Sequence, residues 1–386
     1  MKILALEPYY GGSHRAFLDG WMSQSRHEWS IHGLPDYKWK WRMRHAAITF
    51  SEAVNRRFDQ GQDWDAVFCS DMLNLAEFRG LVRPEIARLP TVIYFHENQL
   101  TYPVRDEHER DTHFAFTNLV SALAADRVWF NSSFHRDSFH KAMRDFLRRM
   151  PDYAPTGSLD SIEAKSVVQH PGVASISRRD ERKPGPLRIL WAARWEHDKN
   201  PETFFSAMEL LKSSRVDFRI SVIGEQFRDS PPVFSKMREA LSERIDRWGF
   251  QETRDDYLVA LREADVFVST AIHEFFGIAA VEAISAGAYP LLPERLAYPE
   301  ILDLRHNPQF REAFYYDGTV TMLAKRLEQL STQEITSHLL SEKLAGCLEV
   351  VQRFRWPARA AEMDDVIASL VAHTCNTNHN DLRPKM

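Results

Sequence analysis

The chain has 386 residues, more than a single hydrophobic core usually organises, and fits two domains of about 150–200 residues each. Apolar residues make up 44% and charged residues 27%, a balance that excludes a disordered chain. A net charge of −5 excludes a uniformly basic nucleic-acid binder, so any polyanionic partner would have to meet a local patch.

The start, MKILALEP, reads as a first strand over residues 3–6 and not as a signal peptide, because its apolar run is short and an acid follows at once. Gly11-Gly12-Ser13-His14 then reads as a turn into a helix over 16–22. A glycine pair there lets backbone approach a ligand, which makes Gly11 and Gly12 candidate donor contacts; a plain strand-to-helix turn is the alternative.

Residues 37–45, YKWKWRMRH, alternate Lys38, Lys40, Arg42 and Arg44 with Trp39, Trp41 and Met43. In an extended segment this would put cations on one face and aromatics on the other. Such a stripe suits RNA, where cations neutralise phosphates and aromatics stack on unpaired bases. An amphipathic edge strand and a membrane-surface stripe use the same pattern. The chain's one D-x-D, Asp63-Trp64-Asp65, precedes the strand at 66–69 instead of ending one, so it reads as solvated strand-entry charge and implies no metal.

Residues 91–95 read as a buried strand that runs into His96-Glu97-Asn98-Gln99 and on to Val104. Polar groups at the carboxyl end of a parallel strand sit where α/β proteins bind ligands. His96 is a candidate hydrogen-bond donor to a sugar or a proton shuttle. Glu97, Asn98 and Gln99 are candidate acceptor contacts. The strand at 128–130 repeats the pattern and adds Asn131 and Ser132. Residues 151–165 read as a loop.

Residues 178–186, RRDERKPGP, are expected to be a linker. A strand at 187–193 follows, then Arg194 and Lys199, five apart, before a helix near Pro201. Both cations could reach a diphosphate and carry the charge of a leaving group. The alternative is a solvated loop in which Glu196 takes the charge. A further strand, 218–223, ends in Gly224-Glu225, where a base or ribose could rest, or where a surface turn simply lies.

The stretch 264–293 holds a buried strand, a helix expected from Gly277 to Gly287, and a second apolar run. Phe275-Phe276-Gly277-Ile278 presents a helix start suited to phosphate. Glu274 precedes it, and Glu282 follows with seven residues between. A nucleotide sugar needs such groups: the helix end for diphosphate, Glu282 for ribose and Glu274 for sugar hydroxyls. The alternative is one exposed loop Glu and one salt-bridged helix Glu. A last helix is expected over 357–372, and residues 376–386 are expected to be disordered. Cys69, Cys347 and Cys375 show no metal spacing or framework, which points to a reducing compartment. No stretch reaches the roughly 18–20 apolar residues of a membrane span, so a cytoplasmic protein without membrane insertion is expected.

The E-x7-E element with Arg194 and Lys199 resembles that of family 4 retaining glycosyltransferases, although Ala193 stands where many members have Gly. Longer stretches resemble one subfamily: YYGGSH (9–14), KWKWR (38–42), YFHENQLTYPV (94–104), RWEHDKNPETFF (194–205), HEFFGIAAVEA (273–283) and YPLLPERLAYPEI (289–301). They are similar to the tRNA-queuosine α-mannosyltransferases. The resemblance implies α/β GT-B architecture, with two Rossmann-like doubly wound domains facing a cleft. Their expected extents are 1–177 and 187–352, with a terminal helix, 353–375, crossing back to the first.

It further implies transfer of mannose, with retention, from GDP-mannose to queuosine at the wobble position of tRNA, tRNA-Asp being the expected species. No cofactor and no metal are expected. His96, Arg194, Lys199 and Glu274 are the expected catalytic set. Gly11, Gly12, Glu225, Phe275, Phe276, Gly277, Ile278 and Glu282 are expected at the donor. Two other classes compete: a transferase acting on a lipid-linked or envelope sugar at a membrane surface, and a non-catalytic tRNA- or nucleotide-binding protein.

Overall fold

The computed structural model describes residues 1–103, 111–178, 184–332 and 337–380, with side chains described except at 332–343 and 375–380. Two units emerge: residues Met1–Gly172 with Trp356–Met386, and residues Val173–Arg355. The linker expected over 178–186 lies partly outside the described residues, as does Val104.

Unit 1 holds β1 (Lys2–Glu7), β2 (Glu28–Gly33), β3 (Ala66–Ser70), β4 (Thr91–Phe95), β5 (Arg127–Phe130) and β6 (Ser166–Val168). They form a parallel sheet in the order β2-β1-β3-β4-β5-β6. The inner strands β3 and β4 are buried at every residue, the pattern of a parallel sheet covered on both faces. Strand alternation deals their side chains to two cores. Leu4, Leu6, Val67, Cys69, Ile93 and Phe95 face one way. Ile3, Ala5, Phe68, Val92, Tyr94 and Trp129 face the other.

The helix Trp356–Asn380 covers that second face with Trp356, Ala360, Met363, Ile367 and Leu370. Asp364, nearly fully buried on this helix, accepts from Trp21 Nε1 at 2.8 Å and from the Arg26 N–H at 2.8 Å. The helix is longer than the sequence suggested. Residues 376–380, expected to be disordered, are helical, and 381–386 lie outside the described residues.

Unit 2 holds β7 (Leu187–Ala192), β8 (Phe218–Ile223), β9 (Ile245–Gly249), β10 (Val266–Val268), β11 (Tyr289–Pro293) and β12 (Tyr315–Tyr316). Its order is β12-β11-β10-β7-β8-β9, again with parallel pairing. In both units the chain winds outward one way and then returns to the other side of its first strand. The switch falls between β1 and β3 in unit 1 and between β7 and β10 in unit 2. Crevices at such points, outside the carboxyl ends of the strands, are where doubly wound sheets bind ligands.

Three local expectations change. The segment 38–44 is not extended: Trp39 opens a helix, Trp39–Asp59, with Lys38 as its left-handed N-cap. Met43, Ala46, Ala47, Phe50 and Val54 recur at helical spacing and are buried, so the core contacts of the longer segment override a seven-residue alternation. The segment 151–165 contains a helix, Ser158–Ala164, anchored by buried Leu159 and Ile162. The first helix begins earlier than expected, at Gly12, so Gly12, Ser13 and His14 form its first turn.

Candidate active site

At the switch point of unit 2, β7 runs into Arg194 and a short 3-10 turn, His197–Lys199, while β10 runs into Glu274. Gly224, after β8, lets its backbone approach the end of β7. A Cβ there would stand 1.8 Å from the Ala193 carbonyl oxygen, so no other residue fits. Thr270 Oγ1 donates to the Lys199 carbonyl at 2.8 Å, and the Ile272 N–H to the Asp198 carbonyl at 2.9 Å, joining the two strand ends.

Lys199 is buried and lies between carboxylates. Its Nζ is 3.2 Å from Glu274 Oε2, 3.3 Å from Asp198 Oδ2 and 3.0 Å from the His273 carbonyl. Burial opposes its charge, but Glu274 and Asp198 outweigh burial and hold the ammonium above the ordinary lysine value. Burial likewise opposes ionisation of Glu274, yet Lys199 and the Phe276 N–H hold its carboxyl below the usual range. Both groups therefore stay ionised around neutrality. Burial and Lys199 also push His273 down to about 4, so that imidazole is neutral. Arg194 is more exposed and pairs with Glu196 at 3.1 Å, the alternative considered above for this loop.

The helix after Glu274 is Ile278–Ala286, capped by Gly277 at φ +96 and Gly287 at φ +100. Side chains at either position would be strained. The Phe276 N–H at the helix entry is not offered freely to a ligand, since it donates to Glu274 Oε1 at 3.4 Å. Phe275 and Phe276 are buried, and Ile278 is partly buried. Glu282 is buried with both oxygens engaged: Arg254 ion-pairs with Oε1 and Tyr257 donates to Oε2 at 2.7 Å. This is the salt-bridged arrangement weighed above. Neither Arg254 nor Tyr257 was marked by the sequence. The Glu225 side chain is exposed, and its carbonyl accepts from the Trp195 N–H at 2.9 Å.

Unit 1 gathers a different set at its own switch point. Glu7 ends β1, fully buried, with Oε1 accepting from the Tyr9 N–H and from Ser70 Oγ, each at 2.9 Å. His14 Nδ1 lies 3.2 Å from the same oxygen. Burial opposes charge on His14, but Glu7, with Asp71 and Glu97, lifts it to about 9. Burial lifts Asp71 to about 8. Burial, then the His14 and His135 imidazoles, pushes His96 well below the usual histidine range.

Of the residues expected to meet the acceptor, Asn98, Asn131 and Ser132 are buried and serve the fold. Asn98 Oδ1 accepts from the Thr101 N–H at 2.9 Å, Asn131 Nδ2 donates to the His96 carbonyl at 2.9 Å, and Ser132 Oγ caps the His135 N–H at 3.0 Å. Glu97 and Gln99 remain partly exposed, linked at 3.1 Å. Gly11 abuts Asp36, with no room for a Cβ, while a Cβ on Gly12 would meet open space.

Around the helix start at Trp39, Lys38, Lys40, Trp41 and Arg44 are exposed, Trp41 at 62%. Trp39 turns inward onto Phe114, at 5.2 Å between centroids, and Arg42 Nε donates to the Pro35 carbonyl at 3.0 Å. The alternation is gone, but an exposed cluster of cations around one large aromatic remains.

Among the described residues, Glu7, His14 and His96 are the group whose potential metal-ligating atoms all lie within 4.8 Å of one another. Their geometry does not suit an ion. The two imidazoles lie face over face, 4.0 Å apart with a 30° tilt, so their in-plane lone pairs do not converge on one centre.

Residues 2–173 match the family described as tRNA-queuosine alpha-mannosyltransferase N-terminal, and residues 174–344 match Glycosyl transferases group 1. A tRNA-queuosine alpha-mannosyltransferase of Drosophila melanogaster is 37% identical, over 78% of this chain and 81% of its own. The chain belongs to the tRNA-queuosine alpha-mannosyltransferase family. As a member of that family it is a glycosyltransferase, and the boundary between its two matches, 173/174, falls beside the unit boundary at 172/173. A GDP-mannose:cellobiosyl-diphosphopolyprenol alpha-mannosyltransferase of Xanthomonas campestris is 29% identical over 32% of each chain. The sucrose-phosphate synthase structure from Thermosynechococcus elongatus superposes with a TM-score of 0.72 at 14% identity, covering 96% of this chain and 99% of that one. That likeness is one of fold, and the fold is GT-B. Among the described residues, no helix is long and apolar enough to cross a membrane.

Proposed function

We propose that this protein transfers mannose from GDP-mannose to queuosine in tRNA, with tRNA-Asp as the substrate species and without a metal ion, in the cytoplasm. One observation carries the reading: in a member of this family, buried Lys199 and Glu274 pair beside the Gly277 helix start, at a topological switch point. A departing nucleoside diphosphate gains negative charge, and fixed cations lower the barrier to its release.

Lys199 and Arg194 are assigned to the diphosphate, with the Gly277–Ile278 helix start beside them. Glu274 takes mannose hydroxyls, and Glu282, oriented by Arg254 and Tyr257, takes the ribose. The acceptor attacks the anomeric carbon from the face the phosphate leaves, and its proton passes to the departing phosphate oxygen. In unit 1, His96 hydrogen-bonds a sugar hydroxyl, while Glu97 and Gln99 meet the acceptor. Lys38, Lys40, Trp41 and Arg44 bind the RNA by charge and stacking.

The test is mass spectrometry of nucleosides from queuosine-containing tRNA incubated with the protein and GDP-mannose. A hexose gain on queuosine, absent with queuosine-free tRNA and with Glu274→Ala, is the expected result. Gain only with another sugar nucleotide would overturn the donor. Gain on no tRNA with any donor would overturn the acceptor.

A further inference from the structure

The buried pair Glu7 and His14 has no part in the assignment above, yet it occupies the switch point of unit 1. Glu7 is fully buried, and a buried carboxylate costs much free energy unless partnered. Its Oε1 accepts from the Tyr9 N–H and Ser70 Oγ, and His14 Nδ1 lies 3.2 Å from it as an ion pair. His14 in turn lies face-on to His96 at 4.0 Å. Phe17 and Tyr94 stand edge-on to the same ring at 5.1 and 4.6 Å. The His96 backbone is also pinned, its N–H donating to Asp71 Oδ1 at 2.9 Å and its carbonyl accepting from Asn131 Nδ2 at 2.9 Å. His96 Nε2 is nevertheless buried without a hydrogen-bond partner among the described residues.

We propose that Glu7 and His14 form a buried carboxylate–imidazolium pair that positions His96, with His14 clamping that second ring face to face. A neutral imidazole offers a hydroxyl both an N–H and a lone pair, whereas an imidazolium only donates. Burial first, and the His14 and His135 imidazoles second, keep His96 neutral, so the part of the pair is to fix its orientation. The groups facing His14 are Glu7 from β1, Asp71 after β3, and His96 and Glu97 after β4; His135 faces His96 from the helix Ser133–Leu147. The three carboxyl groups favour charge on His14, and the two imidazoles beside His96 oppose charge there. The function of His96 itself rests on the reading under Proposed function.

The experiment is nitrogen-resolved NMR of the histidine side chains in the full chain between pH 5.5 and 9.5, for wild type, Glu7→Gln and His14→Gln. In wild type, His96 stays neutral throughout and His14 stays an imidazolium until about pH 9. Glu7→Gln brings His14 titration down by more than one pH unit and shifts the His96 resonances. In transfer assays Glu7→Gln lowers kcat about tenfold or more through misplacement of His96, leaves the donor KM unchanged, and is partly rescued by Glu7→Asp. An ordinary His96 titration in wild type, or a neutral His14 at pH 7, would overturn the proposal. So would stoichiometric binding of added Zn²⁺ that moves both imidazoles, which would make the cluster a metal site. His14→Gln supplies the same NMR readout for His96 if Glu7→Gln does not fold. Because the NMR result does not depend on which acceptor is glycosylated, it stands apart from the queuosine assay.

Discussion

The two units use one topology to hold two different cations beside buried carboxylates. Each places a buried ionic cluster between its first strand and the strand that reverses the winding. In unit 2 the cation is Lys199, and the carboxyl beside it, Glu274, is held below the usual range. In unit 1 the cation is an imidazole, His14, and the nearby Asp71 is lifted by burial to about 8. A lysine gives a charge that persists through the physiological range, as binding a diphosphate demands. A histidine gives a charge that its surroundings decide, and His14 keeps its charge because Glu7 lies beside it. The difference separates a cluster whose cation is intrinsic from one whose cation depends on a buried carboxylate beside it.

The sharpest test of that contrast removes the permanent cation. Lys199→Ala leaves Glu274 and Asp198 facing each other without a counter-charge, and it would take away the contact proposed to the leaving group. Turnover should fall about 10²–10³-fold. Single-turnover rates at saturating donor measure it, with circular dichroism confirming that the variant is folded. Near-full turnover would remove Lys199 from the chemistry.

The next test uses pH. His14 is raised in the folded state to about 9 from 6.5, so its contribution is complete below 6.5 and is lost as pH rises through 9. Asp71 is raised to about 8 from 3.8, so the folded state holds its proton longer than the unfolded one, and stability also falls as pH rises toward 8. Both signs agree. Unit 1 should lose stability, on the order of 5 kcal/mol, between pH 6.5 and 9, about 3 from His14 and about 2 from Asp71. The Lys199–Glu274 pair, ionised throughout, should make no such contribution in unit 2. Hydrogen exchange corrected for intrinsic rates would show protection falling in β1, β3 and β4 but not in β7 and β10. Equal loss in both units would break the comparison.

Unit 2 was largely legible in the sequence because its signals are local. Gly277 and Gly287 bracket an apolar helix, and an apolar strand precedes Glu274, so strand, loop and helix could be read within thirty residues. The partners of Glu282 were not legible, since Arg254 and Tyr257 reach it from 28 and 25 residues away. In unit 1 the segment 38–44 misled, because alternation over seven residues fits a strand while the helical period shows only downstream, at Met43, Ala46, Ala47 and Phe50. Glu7 did carry a usable signal. An acid closing the apolar run at residues 3–6 needs a partner if buried, and His14 is the nearest histidine in sequence.

A smaller effect is expected where unit 1 is exposed. Trp41→Ala removes a surface indole flanked by Lys40 and Arg44. The KM for tRNA should rise about tenfold with the donor KM unchanged, the magnitude of one lost stacking contact. Lys40→Ala should instead weaken binding uniformly and reduce the salt slope by about one. Trp41→Ala with an unaltered tRNA KM would return this surface to a simple solvated helix start.

The smallest effect concerns Arg254, and the reason lies in its surroundings. Its side chain is 51% exposed while that of Glu282 is 8% exposed, so the pair joins a solvated cation to an enclosed carboxylate. Tyr257 donates to the other oxygen at 2.7 Å, and burial together with Glu282 holds its hydroxyl well above the usual tyrosine range, so it remains a donor. If these two residues orient Glu282 toward ribose, Arg254→Ala should raise the donor KM only roughly two- to fivefold, as expected for a half-solvated ion pair. Tyr257→Phe should act similarly. The double variant should exceed the sum of the two, because each alone leaves Glu282 one fixed partner and together they leave none. Additive effects in that cycle would mean that the two residues hold Glu282 independently, and an unchanged donor KM in all three would place Glu282 outside the donor site. The contrast with Lys199 would then narrow to a single residue of unit 2.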